Sequence, residues 1–214
     1  MRIGILGSGL MGGKLGTIFV RAGHEVIFSY ARSTEKLKTL AREAKGKARA
    51  GTPAEAAAES DILLLAVHWL RCDEVLKQAG DLAGKIVVSC TLPMNADDTA
   101  LVVGHDSSGA ERLTRMIPKA RVISAFNTVP SEVLYAVFEA RRKPNRPSLV
   151  YCGDHESAKE TVAQLIRDTG FDPVDAGPLR MARRTEPFAL LVAQLAYEGP
   201  GSPALAYRFE RIGE

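Results

Sequence analysis

The chain begins with the pattern that most restricts its fold, a short apolar run followed at once by a glycine-rich turn. Residues 2–6 are RIGIL, and Gly7, Gly9 and Gly12 follow in G-x-G-x-x-G spacing. From residue 14 to residue 20 the apolar positions repeat with helical period. A strand, a tight turn and a helix in this order are the context in which such glycines indicate a dinucleotide-binding unit.

Each of the three glycines has a different physical role in that unit. Gly7 allows the tight turn, Gly9 lets the backbone approach a pyrophosphate, and Gly12 lets the helix pack closely on the strand. The unpaired N–H groups at the helix start, together with the positive end of its dipole, stabilise a diphosphate. The alternative is that the glycines form a purely structural turn. Such a turn does not require a helix directly after it in the sequence.

The residues after the next predicted strand, 24–29, bear on the choice of dinucleotide. NAD sites place an acidic residue about 20 positions after the glycine motif, whereas an arginine there accommodates the 2′-phosphate of NADP. Arg32 stands 20 positions after Gly12, Lys36 follows it, and no carboxylate precedes Glu35. Arg32 can offer a planar fork of donors and Lys36 a point charge. The pattern predicts NADP, the alternative being two solvated loop charges.

Strand and helix patterns alternate along the rest of the chain. Asp61 introduces ILLLAV, a continuous apolar run expected of a strand buried on both faces of a parallel sheet, with His68 and Trp69 at its carboxyl end. In open α/β sheets ligands bind at that edge. Further strands are predicted at 48–51, 85–90, 121–126, 148–152 and 171–175, and helices at 54–59, 71–79, 106–117, 155–169 and 179–197.

This alternation predicts an α/β fold, a Rossmann-type doubly wound and mainly parallel sheet with a small C-terminal helical extension. We expect an NADP-binding domain over residues 1–178. Residues 179–214 are expected to form the helical extension that completes the substrate cleft.

Composition argues against several classes of protein. A net charge of +3 is too slight to indicate nucleic-acid binding, and no apolar stretch approaches the roughly 20 residues of a membrane span. Cys72, Cys90 and Cys152 lack C-x-x-C spacing, so neither a disulfide framework nor a metal site is indicated. The N-terminal strand pattern does not look like a signal peptide. We therefore expect a cytoplasmic protein that binds no metal, membrane or nucleic acid.

Five blocks of the sequence resemble one known family. They are GILGSGLMG, GHEVIFSYARS, DILLLAVHW, ISAFNTVP and DAGPLRMARRTEPFALLVAQLAY. The family is that of the NADP reductases dependent on coenzyme F420, an 8-hydroxy-5-deazaflavin, and the same module occurs in the reductase domain of membrane metalloreductases. The similarity extends from residue 1 to about residue 210.

The resemblance implies a hydride transfer between NADP(H) and F420, in which the protein holds two rings at reacting distance and excludes water. It implies no catalytic nucleophile and no catalytic triad, and it implies a homodimer. The loop after Pro93 and the turn 177–184 would contact the deazaflavin. The cofactor-binding residues that the pattern and the resemblance together predict are Gly7, Ser8, Gly9, Leu10, Met11, Gly12, Ser29, Arg32, Ser33, Lys36, Val67, His68, Trp69, Thr91, Pro93 and Asn127.

Two positions depart from the family pattern, and three arginines are ambiguous. His68 stands where archaeal members have proline, and it is either a proton donor or a polar residue of the site wall. Asn127 stands where some members have histidine. Arg180, Arg183 and Arg184 could contact the acidic tail of the deazaflavin coenzyme or belong to a solvated helix start.

Two other functions are compatible with the same sequence. One is an NADPH-dependent reductase of a small carbonyl or imine; such enzymes usually add a long helical domain with a catalytic lysine or aspartate. The other is a regulatory module that binds NADPH without turning it over, because a fold alone does not establish catalysis.

Overall fold

A computed structural model describes residues 1–213 and contains one eight-stranded sheet in the order β3-β2-β1-β4-β5-β6-β7-β8. Residue 214, the last of the predicted extension, lies outside the described residues. The strands are β1 Arg2–Leu6, β2 Glu25–Ser29, β3 Ala48–Ala50, β4 Ile62–Leu65, β5 Ile86–Ser89, β6 Arg121–Ser124, β7 Ser148–Gly153 and β8 Asp172–Asp175.

The sheet is parallel except between β6 and β7, which pair antiparallel over Ile123↔Gly153 and Ser124↔Cys152. Strand β4 is apolar throughout, as helices on both faces of the sheet require, and all four of its residues are buried. The predicted α/β doubly wound, mainly parallel sheet is therefore confirmed.

Eight α-helices connect and cover the strands. They are α1 Leu10–Arg21, α2 Thr34–Glu43, α3 Pro53–Glu59, α4 Cys72–Ala79, α5 Gly109–Met116, α6 Leu134–Glu139, α7 Glu156–Asp168 and α8 Ala182–Tyr197. Short 3₁₀ turns precede three of them, at Trp69–Arg71, Ser131–Val133 and Leu179–Met181. Within residues 1–213, none of these helices is long and apolar enough to cross a membrane.

Local sequence signals fix several helix starts. Thr52 caps α3 in a capping box with Glu55, and Pro53 occupies the first helical position, as the sequence indicates.

Helix α6 was not among the predicted elements. The predicted strand ends at residues 67, 90 and 126 extend one or two residues beyond the observed strands, because those residues turn into loops at the ligand-binding edge.

The C-terminal extension is helical only as far as Tyr197, and residues 198–213 form an irregular strap. The strap runs beside the start of β7, where the Ser148 N–H donates to the Tyr207 carbonyl at 2.8 Å. The Tyr207 hydroxyl lies 2.7 Å from Thr128 Oγ1 and 3.3 Å from the Val150 N–H. Strand β6 pairs with only two residues of β7, and the strap lies beside the part of β7 that β6 does not reach.

Candidate functional site

The carboxyl ends of β1, β2 and β4 form a groove of about 450 Å³, which we call the polar groove. Strand order reverses between β1 and β4, and ligands bind at such a switch point in open α/β sheets. The lining residues are Gly7, Ser8, Gly9, Leu10, Tyr30, Ala31, Arg32, Lys36, Ala66, Val67, His68 and Arg71.

The three motif glycines have distinct surroundings. Gly7 has a φ of +113°, and a Cβ there would collide with the Ala66 carbonyl. A Cβ on Gly12 would overlap the Gly7 carbonyl oxygen and lie 3.0 Å from a methyl group of Ile5. By contrast, a Cβ on Gly9 would have no atom within 4 Å. The open space at Gly9 is therefore free for a ligand, whereas Gly7 and Gly12 serve the fold.

Helix α1 points its N-terminus into the polar groove. Its N-cap is Gly9, which offers no side chain, and the first turn contains no acidic residue. The first N–H groups of a helix lack intrahelical partners, so those of Leu10 and Met11 are available to an anion. Ser8 is occupied elsewhere, because its N–H donates to the Tyr30 carbonyl at 3.0 Å and its Oγ to the Ser29 carbonyl at 2.9 Å.

Three basic side chains, those of Arg32, Lys36 and Arg71, line the polar groove. Arg71 is paired with Glu74 at 3.0 Å. Neither Arg32 nor Lys36 forms an ion pair with any residue in 1–213, and both are exposed. Their charges are therefore available to a phosphate at this end of the groove.

A second cavity of about 310 Å³, the apolar pocket, continues the polar groove past the end of β4. The two cavities share Leu10, Val67 and His68, so they form one cleft. The remaining lining residues are Met11, Cys90, Thr91, Leu92, Met94, Asp98, Phe126, Asn127, Thr128, Val129, Pro130, Ser131, Ala189, Val192, Ala193 and Tyr197.

Both ring nitrogens of His68 are occupied. Nδ1 accepts the Leu70 N–H at 3.2 Å, capping the 3₁₀ turn, and Nε2 lies 3.0 Å from Asp98 Oδ1. Because Nδ1 accepts, the ring proton belongs on Nε2, where it is donated to Asp98. Neither ring nitrogen is left without a hydrogen-bond partner in this arrangement, which favours the interpretation of His68 as a wall residue over that of a proton donor.

Other titratable groups of the apolar pocket are also held in internal hydrogen bonds. Burial raises the pKa of the Cys90 thiol to about 12, and its Sγ donates to the Leu65 carbonyl. Burial and the hydrogen bond to Glu132 raise the pKa of Tyr197 to about 12. These two groups are therefore neutral at physiological pH.

Asn127 and Ser131 supply polar atoms at the end of β6. The Asn127 amide nitrogen donates to Ser124 Oγ at 3.3 Å, while its Oδ1 is buried without a hydrogen-bond partner among residues 1–213. Such an unsatisfied buried carbonyl is costly unless a ligand donates to it.

Lys14 of α1 donates to the carbonyl and hydroxyl of Ser131, each at 3.0 Å, and so ties the glycine-loop helix to this edge.

Five predicted site residues do not line the cleft, namely Gly12, which packs against Gly7, and the four that follow. Ser29 is fully buried and donates to the Ile5 carbonyl at 2.7 Å, and the Ser33 hydroxyl caps α2. Trp69 packs against an apolar core cluster, and Pro93 is buried against the start of α5. Their predicted part in cofactor binding, like that of the residues in the cleft, stays a prediction.

The C-terminal arginines divide into two kinds. Arg183 makes a bidentate pair with Glu111 of α5, with distances of 2.6 and 2.9 Å, which lowers the pKa of that carboxyl. Arg180 and Arg184 are exposed. A cavity of about 510 Å³, the arginine pocket, is lined by Leu101, Val102, Gly104, His105, Arg183, Arg184 and Pro187.

Several cleft residues were not among the predicted ones. Tyr30 directly follows Ser29 at the end of β2, and that place could have identified it, whereas Arg71 ends the 3₁₀ turn after β4. Ala189, Val192, Ala193 and Tyr197 lie on α8, far from the glycine motif in sequence, and no local pattern relates them to it. Helix α8 reaches the cleft only through tertiary packing.

Comparisons with known proteins agree with this geometry. The family model for coenzyme F420-dependent NADP oxidoreductases matches residues 2–93, which comprise β1 to the loop after β5. The F420-dependent NADP reductase of Methanocaldococcus jannaschii is 30% identical over 220 residues, covering 94% of this chain and 96% of the relative. Metalloreductase STEAP3 of Rattus norvegicus is 32% identical over 189 residues, and this chain spans only 36% of its length.

Solved structures show the same fold. A crystal structure of a proposed F420-dependent NADP reductase from Arthrobacter sp. FB24 superposes with a TM-score of 0.85 at 23% identity, covering 98% of this chain and 99% of the other. A reductive aminase from Aspergillus terreus superposes with a TM-score of 0.66 at 20% identity, over 61% of its length. Near-complete coverage by the methanogen reductase, together with the cleft, places the chain in the F420-dependent NADP reductase family, as an NADP-dependent oxidoreductase.

Proposed function

We propose that the cleft binds NADP(H) along the polar groove and transfers a hydride between its nicotinamide and a deazaflavin, coenzyme F420, in the apolar pocket. The observation that supports this most directly is the continuity of the two cavities through Leu10, Val67 and His68. One end of the cleft offers cations and free helix N–H groups, and the other offers an apolar space. A phosphorylated nucleotide with a planar ring at its far end has the same distribution of polarity.

The residues of the polar groove fit NADP(H). The space above Gly9 and the free N–H groups of Leu10 and Met11 suit a diphosphate. Arg32 can make a bidentate contact with a 2′-phosphate, and Lys36 adds charge from the first turn of α2. We propose that these residues give the preference for NADP over NAD.

The residues of the apolar pocket fit a ring pair. Thr91 and Asn127 lie at the carboxyl ends of β5 and β6, and the unpartnered Asn127 Oδ1 can accept an N–H of the nicotinamide carboxamide. Phe126 and Val192 provide apolar walls that exclude water. Hydride transfer between two stacked rings is the chemistry that the nucleotide supplies when bound. The protein contributes position and exclusion of water, without a catalytic acid or base.

The arginine pocket suits an acidic tail on the acceptor. It is bounded by the loop after Pro93 and by the start of α8, the two segments expected to contact the deazaflavin. Arg184 is unpaired among residues 1–213, whereas Arg183 is neutralised by Glu111. We propose that Arg184, more than Arg183, contacts anionic groups of the substrate.

An anaerobic absorbance assay tests the proposed function. The purified protein is mixed with NADPH and F420, and in parallel with NADPH and FMN or riboflavin, and with NADH in place of NADPH. We expect the oxidised deazaflavin band to bleach with NADPH and much more slowly with NADH. If NADPH binds and no acceptor is reduced, the deazaflavin assignment fails, and small carbonyl or imine substrates become the next to test.

We also propose that the protein is a homodimer located in the cytoplasm, as the family resemblance and the sequence lead us to expect. Leu191 and Leu195 expose 54% and 55% of their surface on the outer face of α8. A second copy covering this face would remove them from water. Light scattering coupled to size-exclusion chromatography measures the oligomeric state, and a monomer at micromolar concentration would contradict the proposal.

A further inference from the structure

Glu186 has a buried carboxyl group for which the proposed hydride transfer has no chemical use. Its surface is 2% exposed, Oε2 accepts the Gly109 N–H at 2.9 Å, and Oε1 accepts the Ala110 N–H at 3.0 Å. Those N–H groups lie in the first turn of α5 and have no intrahelical acceptor. The carboxyl of a residue on α8 therefore caps a helix that begins 77 residues earlier in the sequence.

The start of α5 rests against one wall of the apolar pocket. A Cβ on Gly109 would lie 3.1 Å from three ring atoms of Pro93, so helix and loop are in close contact. Pro93 lies between Leu92 and Met94, both of which line the apolar pocket. Any shift of the α5 N-terminus is thus transmitted to the loop after β5, because close-packed atoms cannot move independently.

The opposite wall of the apolar pocket is α8 itself. Ala189 and Ala193 follow Glu186 at spacings of three and seven residues, which places all three on one face of the helix. Both alanines line the pocket. The Arg183–Glu111 pair joins the same two helices on a more exposed side.

We propose that Glu186 is a positioning residue that fixes the distance between the Thr91–Met94 loop and α8, and hence the width of the apolar pocket. The inference rests on the proposed function in one respect, that this pocket holds the nicotinamide and the acceptor ring. The methyl side chains of Ala189 and Ala193 are too small to hold a ring in position by themselves. The separation of the walls therefore decides how well the two rings are aligned.

Two substitutions and one matched control test this role. Glu186→Met keeps a side chain of similar length and leaves two buried N–H groups without an acceptor, while Glu186→Gln keeps one acceptor. Glu198→Met is the control, because Glu198 is exposed at the end of the same helix and accepts a hydrogen bond from Gln194. The readouts are the fluorescence of bound NADPH, the Kd of NADPH, the KM of F420, and hydrogen exchange of the amides in residues 91–94.

For Glu186→Met we expect the KM of F420 to rise at least about tenfold, since small misplacements of reacting groups are costly. The emission change of the nicotinamide on binding should largely disappear, and exchange at residues 91–94 should accelerate. The Kd of NADPH should change less than about threefold, because phosphate contacts dominate affinity. Glu186→Gln should fall between Glu186→Met and the wild type, and Glu198→Met should match the wild type.

Emission and KM values equal to those of Glu198→Met would overturn the inference, even if exchange became faster, because Glu186 would then be merely structural. Wild-type protein that reduces no F420 would refute the proposed function. The emission and exchange comparisons would still decide the role of Glu186 in that case.

If Glu186→Met does not fold, the wild-type protein provides the test. Binding of NADP⁺ should slow exchange of the Gly109 and Ala110 amides, although neither residue lines the cleft. Unchanged exchange at these two amides would overturn the inference.

Discussion

The polar groove and the apolar pocket are adjacent parts of one cleft, but they are built in different ways. Every residue of the polar groove lies between residues 7 and 71, and most belong to the turns that follow β1, β2 and β4. The apolar pocket draws on residues from 10 to 197 and needs α8 to close it. The nucleotide half of the cleft is thus encoded locally, and the acceptor half is assembled by packing.

This difference has a physical basis. The polar groove works through backbone geometry and exposed charges, which depend on glycine spacing and on a few side chains near the turn. The apolar pocket works through shape, which depends on how distant helices pack. We therefore expect substitutions at the open positions of the polar groove, such as Gly9 and Arg32, to act on binding alone and substitutions around the apolar pocket to alter stability or alignment as well.

The largest effect is expected for Gly9→Val. A Cβ at this position would have no atom within 4 Å, and the valine side chain would extend into the space proposed for the diphosphate. NADPH and NADH binding should each weaken at least about a hundredfold, or roughly 3 kcal/mol, while the melting temperature of the free protein stays the same. Fluorescence titration and thermal unfolding measure both quantities.

Gly12→Ala is the matched comparison for Gly9→Val, because a Cβ there overlaps the Gly7 carbonyl. This variant should lower the free energy of unfolding by about 1–3 kcal/mol. Tight NADPH binding by Gly9→Val would show that the diphosphate does not lie over the glycine turn.

Around the apolar pocket, stability should depend on pH through Glu186. Burial raises the pKa of this carboxyl from 4.5 to about 7, against the two N–H groups that lower it, and the charge of Glu111 raises it further. Because the folded-state pKa is the higher one, the stabilisation is complete below pH 4.5 and is lost as the pH rises to about 7. The loss amounts to about 3 kcal/mol.

Denaturant unfolding of the wild type and of Glu186→Gln between pH 4 and pH 8 measures this term, since the glutamine does not titrate. As the pH rises, the free energy of unfolding of the wild type should fall relative to that of Glu186→Gln. A difference independent of pH would show that the carboxyl does not titrate in this range.

A smaller effect, confined to one cofactor, is expected for Arg32→Ala. Loss of a charge-assisted contact should weaken NADPH by about 1.5–3 kcal/mol and leave NADH almost unaffected. Steady-state KM values for both cofactors provide the measurement. Lys38→Ala is the control, because Lys38 lies on α2, the helix that follows the Arg32 loop, and pairs with Glu35 outside the groove. Equal losses for NADPH and NADH would remove the case for 2′-phosphate recognition at Arg32.

The smallest effect is expected for His68→Gln at the junction of the two cavities. Because both ring nitrogens are engaged by Leu70 and Asp98, the imidazole is unavailable as an acid. The kcat of the variant should fall by less than about tenfold, whereas loss of a general acid typically costs 10²–10⁴-fold. A large fall, with one limb of the pH–rate profile lost, would instead identify His68 as the proton donor.

Much of the fold could be predicted from local patterns. The glycine motif, the run ILLLAV and the Thr52-Pro53 cap each indicated an element that the structure contains. Helix α6 was missed because only six residues, LYAVFE, form it after a 3₁₀ turn. The strap after Tyr197 was assigned to the helical extension of residues 179–214, whereas its backbone is irregular and Tyr207 packs there against Phe188 and Phe209.

By itself the sequence determined the doubly wound sheet, the place of the glycine turn and the cations beside it, because these features depend on residues close together in the chain. Only the tertiary structure decided which residues of α8 line the apolar pocket, that Arg183 is neutralised by Glu111, and that Glu186 caps α5. Contacts between segments some 70 residues apart depend on how the helices pack on the sheet. No periodicity within either segment specifies that packing.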